Sequence, residues 1–165
     1  PLSARVDRVD EHPDEGIRVL DYKTFATAAA PAKKHWASAG SEDPLVPEAA
    51  VEVEGKRRRW IDLQLPLYRV IAARWYPDRP VQAGYLLLPA DPEGTAVVPL
   101  ELDDALQNSA MRCAEAVADR IRLGRFWPPQ PHSGFWEDPF GALFLNGAPE
   151  RSLAPETIAF LKGAP

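Results

Sequence analysis

Short apolar runs broken by charges open this chain, and longer helical periods follow. Residues 5–10 (RVDRVD) and 17–23 (IRVLDYK) flank EHPDEG at 11–16. A proline and a glycine between two valine-rich runs predict a β-hairpin. Alternation along its second strand places Ile17, Val19, Asp21 and Lys23 on one face. Residues 61–75 (IDLQLPLYRVIAARW) are apolar around most of a helical circumference, which predicts a buried helix. A proline in a helix interior costs about 3 kcal/mol, so a start between Ile61 and Gln64, with Pro66 in the first turn, is favoured. The continuous apolar run VQAGYLLLPA at 81–90 predicts a central strand covered on both faces. After the turn DPEG at 91–94 comes TAVVPLEL at 95–102, an edge strand because Pro99 cannot donate to a ladder. The clearest helix spans 103–123. Asp103 and Asp104 suit its N-terminus, Leu106, Ala110, Cys113, Val117 and Ile121 form its apolar stripe, and Gly124 ends it.

Two stretches lack such periods. Residues 24–59 read as mostly loop with a short helix. Residues 125–165 are rich in Trp, Phe, Pro and Gly, with a short helix at 155–162. Strand, strand, helix, strand, strand, helix is the order of a mixed α/β fold around one sheet, and there is no internal repeat. A chain of 165 residues, 45% hydrophobic, can bury one core and is short for two ordinary domains. The expected organisation is a single domain, with a core over 4–123 and an aromatic, proline-rich extension over 124–165. The chain opens on Pro1 and its only methionine is Met111, so it reads as a piece of a longer polypeptide, its C-terminal module. No apolar stretch approaches the roughly 18–20 residues that span a bilayer. No basic-then-apolar leader precedes the first strand, and a single cysteine cannot form an internal disulfide. The expected setting is therefore reducing and cytoplasmic, with no membrane partner. The net charge of −5 opposes bulk attraction to nucleic acid, while leaving room for a local basic patch.

The hairpin carries the candidate chemistry. Symmetric pairing about its turn sets Asp10 opposite Arg18 and Asp7 opposite Asp21. Directly opposed side chains have Cβ atoms about 4.5–5.5 Å apart, where like charges destabilise a sheet. Two carboxylates and Lys23 beside Ile17 and Val19 are a poor way to build a core. A divalent cation reverses that balance, because Mg²⁺ binds one or two carboxylates and keeps sites for water and phosphate oxygen. Lys23 would then stand beside the attacked phosphate, steadying charge or orienting a water. The competing reading is an ion-pair cluster on an exposed sheet face.

The motifs ARVDRVD, VLDYKT and WIDLQLPLY, in that order, resemble the RecB-like branch of the PD-(D/E)XK nuclease superfamily. The pattern resembles that of the nuclease modules at the C-termini of AddB-type helicase–nucleases and related RecB-family exonucleases. The resemblance covers residues 4–89, with a weaker echo in RLGRFWPP at 122–129. It implies a restriction-endonuclease-like mixed sheet flanked by helices, here without the family's upstream helix and first core strand. It also implies that Asp7 and Asp21 bind metal with the Tyr22 main-chain carbonyl, and that Lys23 is the catalytic lysine. Gln64 and Tyr68 match the Q-x-x-x-Y helix that points toward the active site, four residues apart and hence on one helix face. The strand AGYLLLP also fits. The implied cofactor is Mg²⁺ or Mn²⁺, and the implied activity is exonuclease-like DNA hydrolysis in repair or recombination. Further domains of a parent chain, or a helicase subunit, are the implied protein partners. Ala4 replaces the family glycine. Many AddB-type members hold an iron–sulfur cluster on four cysteines; with Cys113 alone, no cluster is expected here.

Other polar residues are weighed singly. Asp10 falls on the opposite face, where it can pair with Arg18 or Arg8. Lys56, Arg57, Arg58 and Arg59 form a run that is either a solvated loop or a DNA-phosphate contact just before the motif helix. His12, His35 and His132 lack ligand spacing to one another and are read as surface residues. Phe126, Trp127, Phe135, Trp136, Phe140 and Phe144 are read as packing over the sheet rather than as stacking partners for bases. The alternative to a nuclease is a non-catalytic nuclease-like domain that binds DNA or braces a helicase partner.

Overall fold

The computed structural model describes residues 4–24, 35–38, 46–125 and 153–162. The first strand, β1 (Arg8–His12), turns through residues 13–15 into β2 (Gly16–Lys23). The turn is closed by the His12 ring, whose Nδ1 accepts from the amides of Asp14 at 3.3 Å and Glu15 at 3.2 Å. Gly16 follows at φ 90°, and a Cβ there would collide with the Pro80 carbonyl, so glycine is required twice over. The antiparallel register sets Asp10 opposite Arg18 and Arg8 opposite Leu20, as symmetric pairing predicts. It begins at Arg8, so Asp7 lies one position before the ladder rather than within it.

The segment expected to be loop contains a second sheet. It comprises β3 (Trp36–Ser38), β4 (Ala50–Val53) and β5 (Lys56–Trp60), all antiparallel in the order β3-β5-β4. The β4–β5 turn uses Glu54 and Gly55, both at positive φ, the usual geometry of a tight hairpin. Lys56–Arg59 is therefore central strand, not loop. Charged side chains have weak strand preference, and pairing on both sides overrides it.

Helix α1 (Gln64–Trp75) starts with Pro66 as its third residue, where a missing amide hydrogen is harmless. The Asp62 carboxylate accepts the Gln64 amide at 2.7 Å ahead of its first turn. Then β6 (Val81–Leu87) runs parallel to β2, pairing Ile17 with Val81 through Lys23 with Leu87. β7 (Ala96–Pro99) completes the order β1-β2-β6-β7, an edge strand as Pro99 requires. Ile17 and Val19 of β2, with Val81, Ala83, Tyr85 and Leu87 of β6, pack with Leu65, Tyr68 and Ala72 of α1 in the main core. Arg69 fastens the helix by donating to the carbonyls of Val81 at 3.1 Å and Leu102 at 2.9 Å.

Helix α2 (Asp104–Arg122) begins with the Asp103 carboxylate accepting the Leu106 amide at 2.7 Å. Its Ala110 and Cys113 are buried with Trp60 and Ala49, and Trp60 Nε1 donates to Ser109 Oγ at 3.1 Å. Burial pushes the Cys113 thiol pKa up, with Glu48 adding to the shift. The predicted stripe stops there: Val117 and Ile121 are 37% and 57% exposed. The chain packs as two compact units, residues 1–115 and 116–165. Within the second, α3 (Pro155–Lys162) occupies the expected span. The six aromatic residues of the expected packing cluster, and His132, lie outside the described residues. No helix among the described residues is long and apolar enough to cross a membrane. The mixed four-stranded sheet with flanking helices, beside the smaller sheet, is a restriction-endonuclease-like α/β architecture.

Candidate active site

Strand alternation carries the polar end of β2 onto the face that α1 covers. Ile17 and Val19 fill the core, and the same face continues through Asp21 and Lys23. Asp21 is 4% exposed, an unusual place for a carboxylate, and its two oxygens are handled differently. Oδ1 accepts a hydrogen bond from Gln64 Nε2 at 2.9 Å. Oδ2 is buried, accepts no hydrogen bond among the described residues, and forms an ion pair with the Lys23 ammonium. Lys23 also lies over the Tyr85 ring, 5.4 Å from its centroid.

Donor and acceptor chemistry fixes the direction of the supporting chain. The Arg5 carbonyl can only accept, so the Tyr68 hydroxyl donates to it, at 2.6 Å. Tyr68 Oη is then free to accept from Gln64 Nε2 at 3.0 Å. The second hydrogen of the same amide goes to Asp21, which determines the amide's orientation. One pair of residues on α1, a turn apart, thus holds the Asp21 carboxylate directly and the chain entering Asp7 through Arg5.

Asp7 is exposed, and its Oδ2 accepts the Tyr22 amide at 3.1 Å, fastening it to β2 just beyond the ladder. Tyr22, an exposed residue, carries the third expected donor in its main-chain carbonyl. Of the residues read from sequence, Lys23, Asp21, Gln64 and Tyr68 are linked in that order by successive contacts, and Asp7 is joined to them through the β2 backbone. Lys56, Arg57, Arg58 and Arg59 belong to the second sheet, where Arg58 Nη1 donates to Ser38 Oγ at 2.9 Å and Arg57 pairs opposite Glu52. Asp10 accepts from Arg8 Nε at 2.6 Å, the surface pairing expected of it.

His35, which its isolated position in the sequence predicts at the surface, is instead fully buried. Its carbonyl accepts the Ile61 amide at 2.9 Å, its Nδ1 lies 3.0 Å from the Asp62 carbonyl, and its Nε2 lies 2.6 Å from Tyr85 Oη. Sequence spacing gave no hint of this, since its partners are 27 and 50 residues away. The only local signal is the neighbouring Trp36, which packs edge-on to it.

The donor set suits a hard divalent ion. Every expected ligand atom is oxygen, two come from carboxylates, and Asp21 Oδ2 is a buried anionic oxygen whose partner among the described residues is the exchangeable Lys23 ammonium. Among the described residues, no group of three or more His, Cys, Asp or Glu gathers as a closed cage. An ion here would retain sites for water and phosphate, the habit of Mg²⁺.

A family model described as PD-(D/E)XK nuclease superfamily matches residues 1–134. Comparison with curated proteins and with solved structures gave no significant match.

Proposed function

This chain belongs to the PD-(D/E)XK nuclease superfamily, and on that premise we propose that it hydrolyses phosphodiester bonds of DNA with a divalent ion, Mg²⁺ or Mn²⁺. The observation that carries the reading is the buried Asp21 carboxylate, one oxygen held by Gln64 and the other facing Lys23. Such a group on a sheet face is expensive to bury unless it has a task beyond packing.

Asp7, Asp21 and the Tyr22 carbonyl would hold the ion. When bound, it would supply Lewis-acid polarisation of a phosphate oxygen and lower the charge repelling a nucleophile. Lys23 then exchanges its ion pair with Asp21 for the scissile phosphate or the attacking water, donating hydrogen bonds where negative charge develops. Gln64 keeps Asp21 from rotating away as Lys23 moves, and Tyr68 fixes Gln64 in turn. Lys56, Arg57, Arg58 and Arg59 supply a sequence-independent contact to the DNA backbone. The RecB/AddB-like motif order supports placing the activity in a cytoplasmic helicase–nuclease or exonuclease of repair or recombination. Partner domains or a helicase subunit would deliver the DNA.

A second reading has its own support. Lys23 already neutralises Asp21, and no three-ligand cage gathers among the described residues, so the same geometry serves a non-catalytic domain that binds DNA or braces a partner. Incubation with linear DNA and Mg²⁺ or Mn²⁺ separates the two. Cleavage by the native protein that is lost in Lys23→Ala supports the nuclease. Equal degradation by both variants removes the assignment. Calorimetric titration with Mn²⁺ adds a readout independent of turnover: heat abolished by Asp21→Ala supports a metal site, and no heat from folded native protein supports the rival.

A further inference from the structure

The buried His35 is a polar group that the site chemistry above leaves without a role. Its two ring nitrogens face partners of different kinds. Nδ1 is 3.0 Å from the Asp62 carbonyl, which can only accept, so Nδ1 carries the hydrogen. A neutral imidazole then presents Nε2 as acceptor, and the Tyr85 hydroxyl donates to it across 2.6 Å. For the neutral ring, the tautomer and both hydrogen-bond directions follow from that one carbonyl.

Tyr85 is 2% exposed, and Lys23 lies over its ring at 5.4 Å from the centroid. The ring is thus pinned at its hydroxyl end by His35 while its π-face meets the ammonium. His35 is itself stitched to the residues preceding α1: its main-chain carbonyl accepts Ile61, and its ring donates to Asp62. The Asp62 carboxylate, in turn, accepts the amide of Gln64, the residue that holds Asp21. One short segment therefore supports both members of the Asp21–Lys23 pair, Asp21 through Gln64 and Lys23 through His35 and Tyr85.

We infer that His35 is a positioning residue: through the Tyr85 hydroxyl it fixes the aromatic surface on which the Lys23 ammonium rests. The inference rests on the reading of Lys23 as the catalytic lysine for its kinetic consequence, and on the contacts alone for its structural one. Metal-bound histidines in other proteins show how such outer groups act, by restricting where the functional atom can go.

The experiment uses the lysine-labelled protein and two readouts. In proton–carbon correlation spectra the Lys23 ε-methylene signals are displaced upfield by the Tyr85 ring current, and Tyr85→Leu identifies that displacement by abolishing it. His35→Leu, which can neither donate to Asp62 nor accept from Tyr85, reduces the displacement; His35→Gln, which can do both, retains it. In Mg²⁺-dependent cleavage of linear DNA, His35→Leu lowers kcat about tenfold with KM for DNA unchanged, and His35→Gln restores the rate. Should His35→Leu not fold, Tyr85→Phe keeps the ring, removes the hydroxyl anchor, and reduces the displacement in its place. An unchanged displacement and unchanged kcat in folded His35→Leu or Tyr85→Phe overturn the inference. If the native protein cleaves no DNA yet the displacement follows the expected order, the nuclease reading fails and the placement of Lys23 by His35 stands.

Discussion

β2 and β5 are both interior strands of their sheets, and both carry several charges, yet the two treat those charges in opposite ways. Asp21 of β2 is buried under α1, with Gln64 on one oxygen and Lys23 on the other. Lys56, Arg57 and Arg59 of β5 are exposed, and only Trp60 at its end is buried. A central position in a sheet says nothing about burial; the layer covering the face decides. Where a helix covers the face, each charge needs a named partner, and losing that partner is costly. Where water covers it, charges are interchangeable and contribute little to the fold.

That contrast can be broken at its strongest point first. Lys23→Ala is expected to lower the rate of DNA cleavage about 10²- to 10³-fold, the scale for removing one donor from developing charge. Single-turnover assays with Mg²⁺ check this. The same variant leaves Asp21 Oδ2 buried without a counter-charge, so metal-free protein should lose about 1–3 kcal/mol of stability in urea unfolding. Added Mn²⁺ should narrow that deficit, because the native protein must give up the Lys23–Asp21 ion pair to bind the ion and the variant need not. A deficit indifferent to Mn²⁺ would mean that no ion takes the place of the ammonium.

Gln64→Leu keeps the bulk of the side chain and removes both hydrogen bonds, leaving Asp21 and Tyr68 each one partner short. The expected result is a loss of about ten- to a hundredfold in activity, partly through weaker metal affinity, readable from Mn²⁺ titration of the rate.

The exposed strand should behave differently. Arg57→Gln with Arg59→Gln, which places no like charge opposite Glu52, is expected to weaken DNA binding and to reduce the slope of log affinity against log salt by about two, for two lost phosphate contacts. Rates at saturating DNA should stay at the native value, and stability within about 0.5 kcal/mol of it. A fall in rate at saturating DNA would instead tie β5 to the chemistry, erasing the distinction between the two strands.

The smallest effect concerns alkali. Burial raises the Tyr85 phenol above its ordinary value of 10.0, with Asp62 and Asp21 adding to it. The unfolded chain ionises this phenol first, so its contribution is complete below about pH 10 and declines as pH rises toward the higher native value. Tyr85→Phe should flatten that alkaline decline in unfolding midpoint, measured by circular dichroism across pH 9–12.

The boundary of what local pattern reveals follows the same line. The hairpin turn, the edge placement of Pro99, the Pro66-tolerant start of α1 and the Asp103 cap of α2 are all legible, because each is a constraint within a few residues. The DYK motif is legible for a related reason: charges on the apolar face of a strand contradict its period and so announce themselves. β3, β4 and β5 were hidden because they are three to five residues long and one is a run of cations. Short, charged strands have little intrinsic preference and exist only through their neighbours.

Sequence alone therefore determined the secondary periods, the place of the conformationally demanding residues, and the family to which the motif order points. Tertiary structure alone decided which polar groups meet: Gln64 with Asp21, Tyr68 with the Arg5 carbonyl, and His35 with Tyr85. The physical reason is range. Backbone period and turn geometry are set by adjacent residues, whereas the partner of a buried donor is whichever acceptor the packed layers bring within about 3 Å, here 43 to 63 residues away along the chain.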